Sequence, residues 1–134
     1  MLQPIGVSAQ KVMEKLIEGI SQGGNKKIDN TGGAFMSVSV ERVGSISWGP
    51  LFSVTHYYEQ NGDLMSDPDM VFLQGASGKF YPISYQQDGL GIYQEVIAET
   101  DEDGKVLKYR PKLSKELATF ANQWMRNIKD QQKL

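Results

Sequence analysis

From Ala34 to Arg110 apolar residues tend to recur at every second position, and glycine-containing turns cut the run at regular intervals. A period of two sends alternate side chains to opposite faces of an extended chain, so this stretch folds as half-buried strands. Leu51–Glu59 shows it best, with Phe52, Val54, His56 and Tyr58 on one face and Ser53 and Thr55 on the other. Asn61-Gly62 follows, the pair most suited to a two-residue hairpin turn because both positions need positive φ. Asp88-Gly89 and Asp103-Gly104 repeat that turn chemistry.

The strands expected on this pattern are Ala34–Glu41, a short piece at Ser45–Trp48, Leu51–Glu59, Met70–Gln74, Phe80–Gln86, Ile92–Glu99 and Val106–Arg110. Asp63–Asp69 reads as irregular, and Gly49-Pro50 as a break. Pro82 has no N–H to donate and is expected at an edge or a bulge.

Outside this region the period changes. Val12, Met13, Leu16, Ile17 and Ile20 recur at spacings of three and four, which predicts a helix over Ala9–Ser21 with Ser8 as its cap and Gly23-Gly24 as its stop. Leu117, Phe120, Ala121, Trp124 and Ile128 predict a final helix from Ser114 to about Asp130, after Pro111 has closed the last strand. The fold class expected is α+β: a curled antiparallel meander of five to seven strands with a helix at each end, in one domain spanning residues 1–134. Both tryptophans, Trp48 and Trp124, are expected in the core.

Composition narrows the functions open to such a domain. With no cysteine, disulfide scaffolds, thiol catalysis and Cys-ligated metals are excluded. The apolar pattern near the N-terminus is interrupted by Lys and Glu at helical spacing and resembles no export signal, so a soluble cytoplasmic protein without membrane association is expected. The net charge of −2 hides an asymmetry: residues 51–100 carry seven acidic side chains against Lys79 alone, while residues 101–134 carry eight basic against five acidic. The acidic stretch repels phosphate backbones, which disfavours nucleic-acid binding through the sheet and leaves a protein as the partner to expect. Gly23–Gly33, GGNKKIDNTGG, is glycine-rich but lacks the Gly-Lys-Ser/Thr order and the strand-to-helix setting of a phosphate loop.

Few residues carry chemistry. His56, the sole histidine, shares its parity with apolar neighbours, which suits a packed core residue as well as a catalyst poised near neutral pH. Asp63, Asp67 and Asp69 stand within seven residues. Clustered carboxylates can hold a hard cation, yet their spacing misses the calcium-loop pattern, and Asp favours turns in its own right. Tyr81, Tyr85, Tyr93, Gln86, Gln87, Asp88 and Gln94 form a polar-aromatic group suited to recognition, or simply to strands.

The segments HYYEQNGDLMSDPDMVF (His56–Phe72) and YPISYQQDGLGIYQEV (Tyr81–Val96) resemble a family of small uncharacterised proteins, a domain of unknown function found in bacteria and on phages, plasmids and mobile elements. The resemblance covers under a third of the chain and neither helix. Its pattern falls on His56, Tyr58, Gln60, Asn61, Gly62, Asp63, Leu64, Met65, Asp67, Pro68, Met70, Phe72, Pro82, Gln87, Gly91, Tyr93, Gln94 and Glu95. The resemblance implies that the turn after Asn61 and the Tyr-Gln-Glu strand meet across neighbouring strands; it brings no activity with it.

Two readings follow. One is a non-enzymatic binding or accessory protein that uses His56, Tyr58, Asn61, Asp63, Asp67, Asp69, Gln87, Tyr93, Gln94 and Glu95 as a recognition surface, with no cofactor and no resident metal. The other is a metal-assisted hydrolase or nuclease, which needs at least three of His56, Asp63, Asp67, Asp69 and Glu95 to converge on one cation. No catalytic residue is assigned in the first.

Overall fold

The computed structural model describes residues 2–32 and 35–134. Six strands form one antiparallel sheet in chain order: β1 (Asn25–Ile28), β2 (Val38–Ile46), β3 (Gly49–Gln60), β4 (Asp63–Gln74), β5 (Phe80–Gln87) and β6 (Ile92–Glu95). A separate hairpin pairs β7 (Ile97–Thr100) with β8 (Val106–Tyr109), and helices α1 (Val7–Ile17) and α2 (Pro111–Gln132) flank the whole. The fold is α+β with an antiparallel sheet between two terminal helices, as the periodicity predicts.

The even–odd alternation sorts the sheet cleanly. Val38, Val40, Phe52, Val54, His56, Met70 and Phe72 are buried on the face that meets the helices. There they pack with Ala9, Val12, Met13 and Leu16 of α1 and Leu117, Ala121, Trp124, Met125 and Ile128 of α2. Removing an apolar side chain of this size from water contributes about 1.5–3 kcal/mol, so this shared face is the main source of stability. The opposite face carries Ser39, Glu41, Ser53, Asp69, Ser84 and Gln86, none of them fully buried, and no helix.

The Asn61-Gly62 turn forms as expected: Gln60 pairs with Asp63, and φ is 53° at Asn61 and 86° at Gly62. The ladder then runs on through Asp63–Asp69, which was expected to be irregular. One shift of register between the Thr55 and Tyr57 pairings absorbs an extra β4 residue, at the cis Asp67-Pro68 bond. Pro82 is buried at a second bulge, where Val71 pairs with Ser84 but Phe72 with Pro82.

Several boundaries differ from the sequence expectation. Asn25–Ile28, within the glycine-rich stretch Gly23–Gly33, is an edge strand paired with Val38–Glu41. Ala34 lies outside the described residues, and the strand expected from there begins at Val38. Ser47 and Trp48 form the turn between β2 and β3, and Trp48 is 42% exposed rather than core. Ile92–Glu99 breaks at Val96, whose N–H donates to Ile83 and whose carbonyl accepts from Arg110, at 2.8 and 2.7 Å. That residue carries the chain from the large sheet to the hairpin.

Both helices start without the expected side-chain caps. Gly6 caps α1, and its own N–H is bonded by Asn122 Oδ1 of α2 at 2.8 Å, so Ser8 is not the cap. The helix ends before Gly19, at φ 80°, where Lys26 Nζ of β1 donates to the carbonyls of Lys15 and Glu18. Arg110 caps α2, with Pro111 at its first position, where a missing N–H costs nothing. Ser114 instead accepts from the Gln3 N–H at 2.8 Å.

Candidate functional site

The candidate residues divide between the two faces. His56 is 4% exposed, with Nδ1 3.0 Å from the Ser37 carbonyl and its ring edge-on to Trp124 at 5.5 Å between centroids. Burial pushes its pKa below 6.5, against the Ser37 hydrogen bond and the negative charge of Asp67. A neutral imidazole sealed under an indole is a core residue in this fold. Tyr58 follows two positions on; its hydroxyl packs on Gly89, where an added Cβ would stand 2.8 Å away.

Asp67 and Gln87 meet across β4 and β5. Gln87 Nε2 donates to Asp67 Oδ1 at 2.9 Å, and Tyr85 OH donates to Gln87 Oε1 at 2.7 Å. The Tyr85 ring in turn meets Phe120 of α2 edge-on at 5.3 Å. These groups bond to one another and tie the sheet's lower end to α2. Asn61 and Asp63 are exposed at the hairpin tip, beyond this network.

Asp69, Tyr93 and Glu95 lie on the helix-free face. The ladder aligns Lys27, Ser39, Thr55, Asp69, Gln86 and Tyr93 in one row across all six strands. A second row aligns Asn25, Glu41, Ser53, Val71, Ser84 and Glu95. Directly paired residues share a face, so this side has a floor of small hydroxyl side chains with carboxylates and tyrosines standing above it. Tyr93 OH donates to Glu95 Oε1 at 2.6 Å, which raises the Tyr93 pKa to about 12. Gln94 alternates away from both and pairs with Tyr85.

At the centre of the first row two buried atoms lack hydrogen-bond partners: Thr55 Oγ1 and Asp69 Oδ1. Thr55 is 1% exposed, while Asp69 is half-buried. Burial holds the Asp69 carboxyl above the usual carboxylate range. The facing Thr55 hydroxyl, outside good hydrogen-bond geometry, partly offsets this, and repulsion from Asp88 and Glu41 adds to it. Asp88 shows the reverse. Its carboxylate accepts from the Ser66 N–H and from Gln86 Nε2, both at 2.8 Å, which lowers its pKa.

Two recesses flank the rows. One, of about 440 Å³, lies between β5–β6 and β7 and is lined by Leu51, Val71, Ser84, Tyr93, Glu95 and Ile97 among others. The other, of about 230 Å³, lies over β1–β3 and is lined by Lys27, Ser39, Glu41, Ser53, Thr55 and Tyr57 among others. Sequence reasoning passed over Ser39, Glu41, Ser53, Thr55 and Ser84. Their alternation was visible, but which strand lay beside which was not. It also passed over an aromatic recess of about 640 Å³ where Trp48, Tyr81 and Tyr109 stand around Leu73 and Gly75.

Of the five candidate ligands for metal-assisted hydrolysis, no three come together. His56 is under α2, Asp63 is at the hairpin tip, and Asp69 and Glu95 are on the opposite face from His56. Among the described residues no three His, Asp or Glu side chains are placed to hold one metal ion. The turn after Asn61 and the Tyr-Gln-Glu strand are not on neighbouring strands as expected, since β5 lies between β4 and β6. Among the described residues, no helix is long and apolar enough to cross a membrane.

Neither the curated proteins nor the solved structures contain a match to this chain. A family model does match, over residues 8–134, a span that includes α2 and nearly all of α1 and not only the two strand-and-turn segments. The chain belongs to the family described as Domain of unknown function (DUF6908).

Proposed function

We propose that this protein is a non-catalytic binding module that engages a protein partner through the helix-free face of its sheet. The observation that carries the reading is the ladder row Lys27–Ser39–Thr55–Asp69–Gln86–Tyr93, in which Thr55 and Asp69 each bury a polar atom without a partner. Buried polar groups in native proteins are nearly always satisfied, so such a pair calls for a reason. A surface that acquires its hydrogen bonds from another molecule supplies one. Tyr93, 61% exposed and braced by Glu95, and Tyr57, 38% exposed, add rigid aromatic area with polar tips, the composition favoured at recognition surfaces.

The acidic turn contributes less than its charge suggests. Asp67 is occupied by Gln87, so reversing its charge would damage the fold rather than a binding surface. Glu41 and Glu95 are exposed on the open face and are the better positions.

The test is site-specific photo-crosslinking with p-benzoylphenylalanine at Tyr57 or Tyr93, against a control at Gln123 on the exposed side of α2. A discrete adduct expected from the two sheet positions should be absent at Gln123 and should disappear when Glu41→Lys and Glu95→Lys are added. Equal adducts from all three positions would overturn the assignment of the surface.

A further inference from the structure

We infer that the group this face receives is a guanidinium, carried by an arginine of the protein partner and seated at Asp69; the inference rests on the reading of the helix-free face as the binding surface. The first argument is charge. Glu41, Asp69 and Glu95 stand on this face, and none is in an ion pair: among the described residues the one ion pair is Lys108–Glu99, at 3.6 Å. Lys27 is the one cation in the two rows, on β1, three strands from Asp69. At about 4.8 Å per strand that is a separation of roughly 14 Å, more than a lysine side chain spans. The charge at Asp69 is therefore not answered from within the fold.

The second argument is independent of charge. Thr55 is 1% exposed, lines the recess over β1–β3, and has a hydroxyl without a partner. Asp69 Oδ1, across the ladder, is also without one. A carboxylate accepts only, and the one hydroxyl facing it, that of Thr55, is outside good hydrogen-bond geometry, so what the centre of the face lacks is a well-placed donor. Asp69 is only half-buried and can be approached from the open side.

The donor's shape follows from its surroundings. A metal ion would need several carboxylates converging, and the described residues provide no such group. A guanidinium is planar, presents five donors in a fixed fork, and is weakly hydrated, so it leaves water more readily than an ammonium. It also lies favourably against aromatic rings. Tyr93 is two strands along the same row from Asp69, and Tyr57 is two residues along β3 from Thr55 on the same face. A fork seated at Asp69 can also reach the side-chain oxygen of Gln86, its direct partner on β5. A compact ammonium would meet Asp69 alone.

The experiment is an amide NMR titration of the full chain with three capped peptides: Gly-Arg-Gly, the same peptide with citrulline for arginine, and Gly-Lys-Gly. Citrulline keeps the shape and removes the charge. The arginine peptide should shift the amides of Ser39, Thr55, Asp69 and Gln86 saturably. The lysine peptide should bind several-fold more weakly, and the citrulline peptide should leave the signals unmoved. Asp69→Asn, with its spectrum otherwise native, should weaken the arginine peptide by about tenfold or more, the loss of one charge-assisted contact. Equal action of arginine and citrulline peptides, shifts confined to other surfaces, or an unchanged affinity in Asp69→Asn would each overturn the inference. The cross-links at Tyr57 and Tyr93 separate the two failures. If they persist, only the guanidinium is lost; if they are absent too, the surface itself was misassigned.

Discussion

Gln132, in the last turn of α2, accepts a hydrogen bond from the Asn30 N–H at 2.8 Å, across 102 residues of chain. The same side chain donates from Nε2 to the Met36 carbonyl at 3.1 Å, and the Gln132 carbonyl accepts from Asn30 Nδ2 at 2.8 Å. Gln132 is fully buried. The connection between β1 and β2 is therefore pinned to the end of α2 by one amide.

Removing that amide costs two hydrogen bonds, to the Asn30 N–H and the Met36 carbonyl, each contributing about 0.5–1.5 kcal/mol because both partner residues are exposed and water can replace the amide. Gln132→Ala should destabilise the protein by about 1–3 kcal/mol in urea unfolding. Gln132→Glu should do no better. It keeps the acceptor for Asn30 but loses the donor to Met36 and buries a charge. If either variant unfolds at the wild-type midpoint, the latch does not contribute.

His56 sets the stability near neutral pH. Its folded pKa lies below 6.5, chiefly because it is buried, so on acidification the unfolded chain takes up this proton before the native one does. Stability should be full well above 6.5 and fall as pH drops through 6.5 toward the lower folded value, before most carboxylates titrate. His56→Phe should flatten the dependence. An imidazole NMR titration should place the midpoint below 6.5; a midpoint above it would show that Asp67 and the Ser37 carbonyl outweigh burial.

Asp69 and Asp88 should respond to acid in opposite senses. Asp69 has its pKa raised by burial, so its charge penalises the folded state at neutral pH, and the penalty is relieved as pH falls through its folded pKa. Asp88 is lowered by the Ser66 N–H and Gln86; its contribution is present above 3.8 and lost as pH falls through its folded value. Asp69→Asn should accordingly leave stability at neutral pH unchanged or slightly raised, the gain being limited by solvent screening at a half-exposed site. Asp88→Asn should lower it. Paired urea curves at neutral and acid pH would show whether the signs are opposite.

The parts of this fold that were legible in the sequence are those fixed by local chemistry. Val54 and His56 alternate with Ser53 and Thr55, so their faces follow from a period of two, and Asn61-Gly62 names its own turn. What was illegible depends on contacts made across the chain. Ser8 was the natural local cap, but Asn122, 116 residues away, takes the Gly6 N–H and sets the helix start. Asn25–Ile28 is too short and polar to announce a strand and becomes one only because β2 lies beside it. The candidate site failed for the same reason. Thr55 was readable as outward-facing while Asp69 stood in a stretch expected to be irregular, so only the register shows them opposite one another, and only the bulge at Asp67-Pro68 puts Asp67 and Asp69 on different duties.

Tyr93 offers a spectroscopic check on the open face. Its hydroxyl donates to Glu95 Oε1, and because ionising the phenol would break that bond and set two negative charges side by side, its pKa is raised to about 12. In an ultraviolet titration of the six tyrosines, one late-ionising component should therefore vanish in Tyr93→Phe. Glu95→Gln should keep the acceptor but remove the charge, moving that component back toward the ordinary value of 10.0. Neither substitution touches a buried residue, so urea midpoints should shift by no more than about 0.5 kcal/mol of stability, as expected for exposed positions. Tyr85, which burial also raises, should keep its own late absorbance in both variants; if Tyr93→Phe leaves the late absorbance unchanged, the Tyr93–Glu95 bond that braces the proposed binding face does not persist in solution.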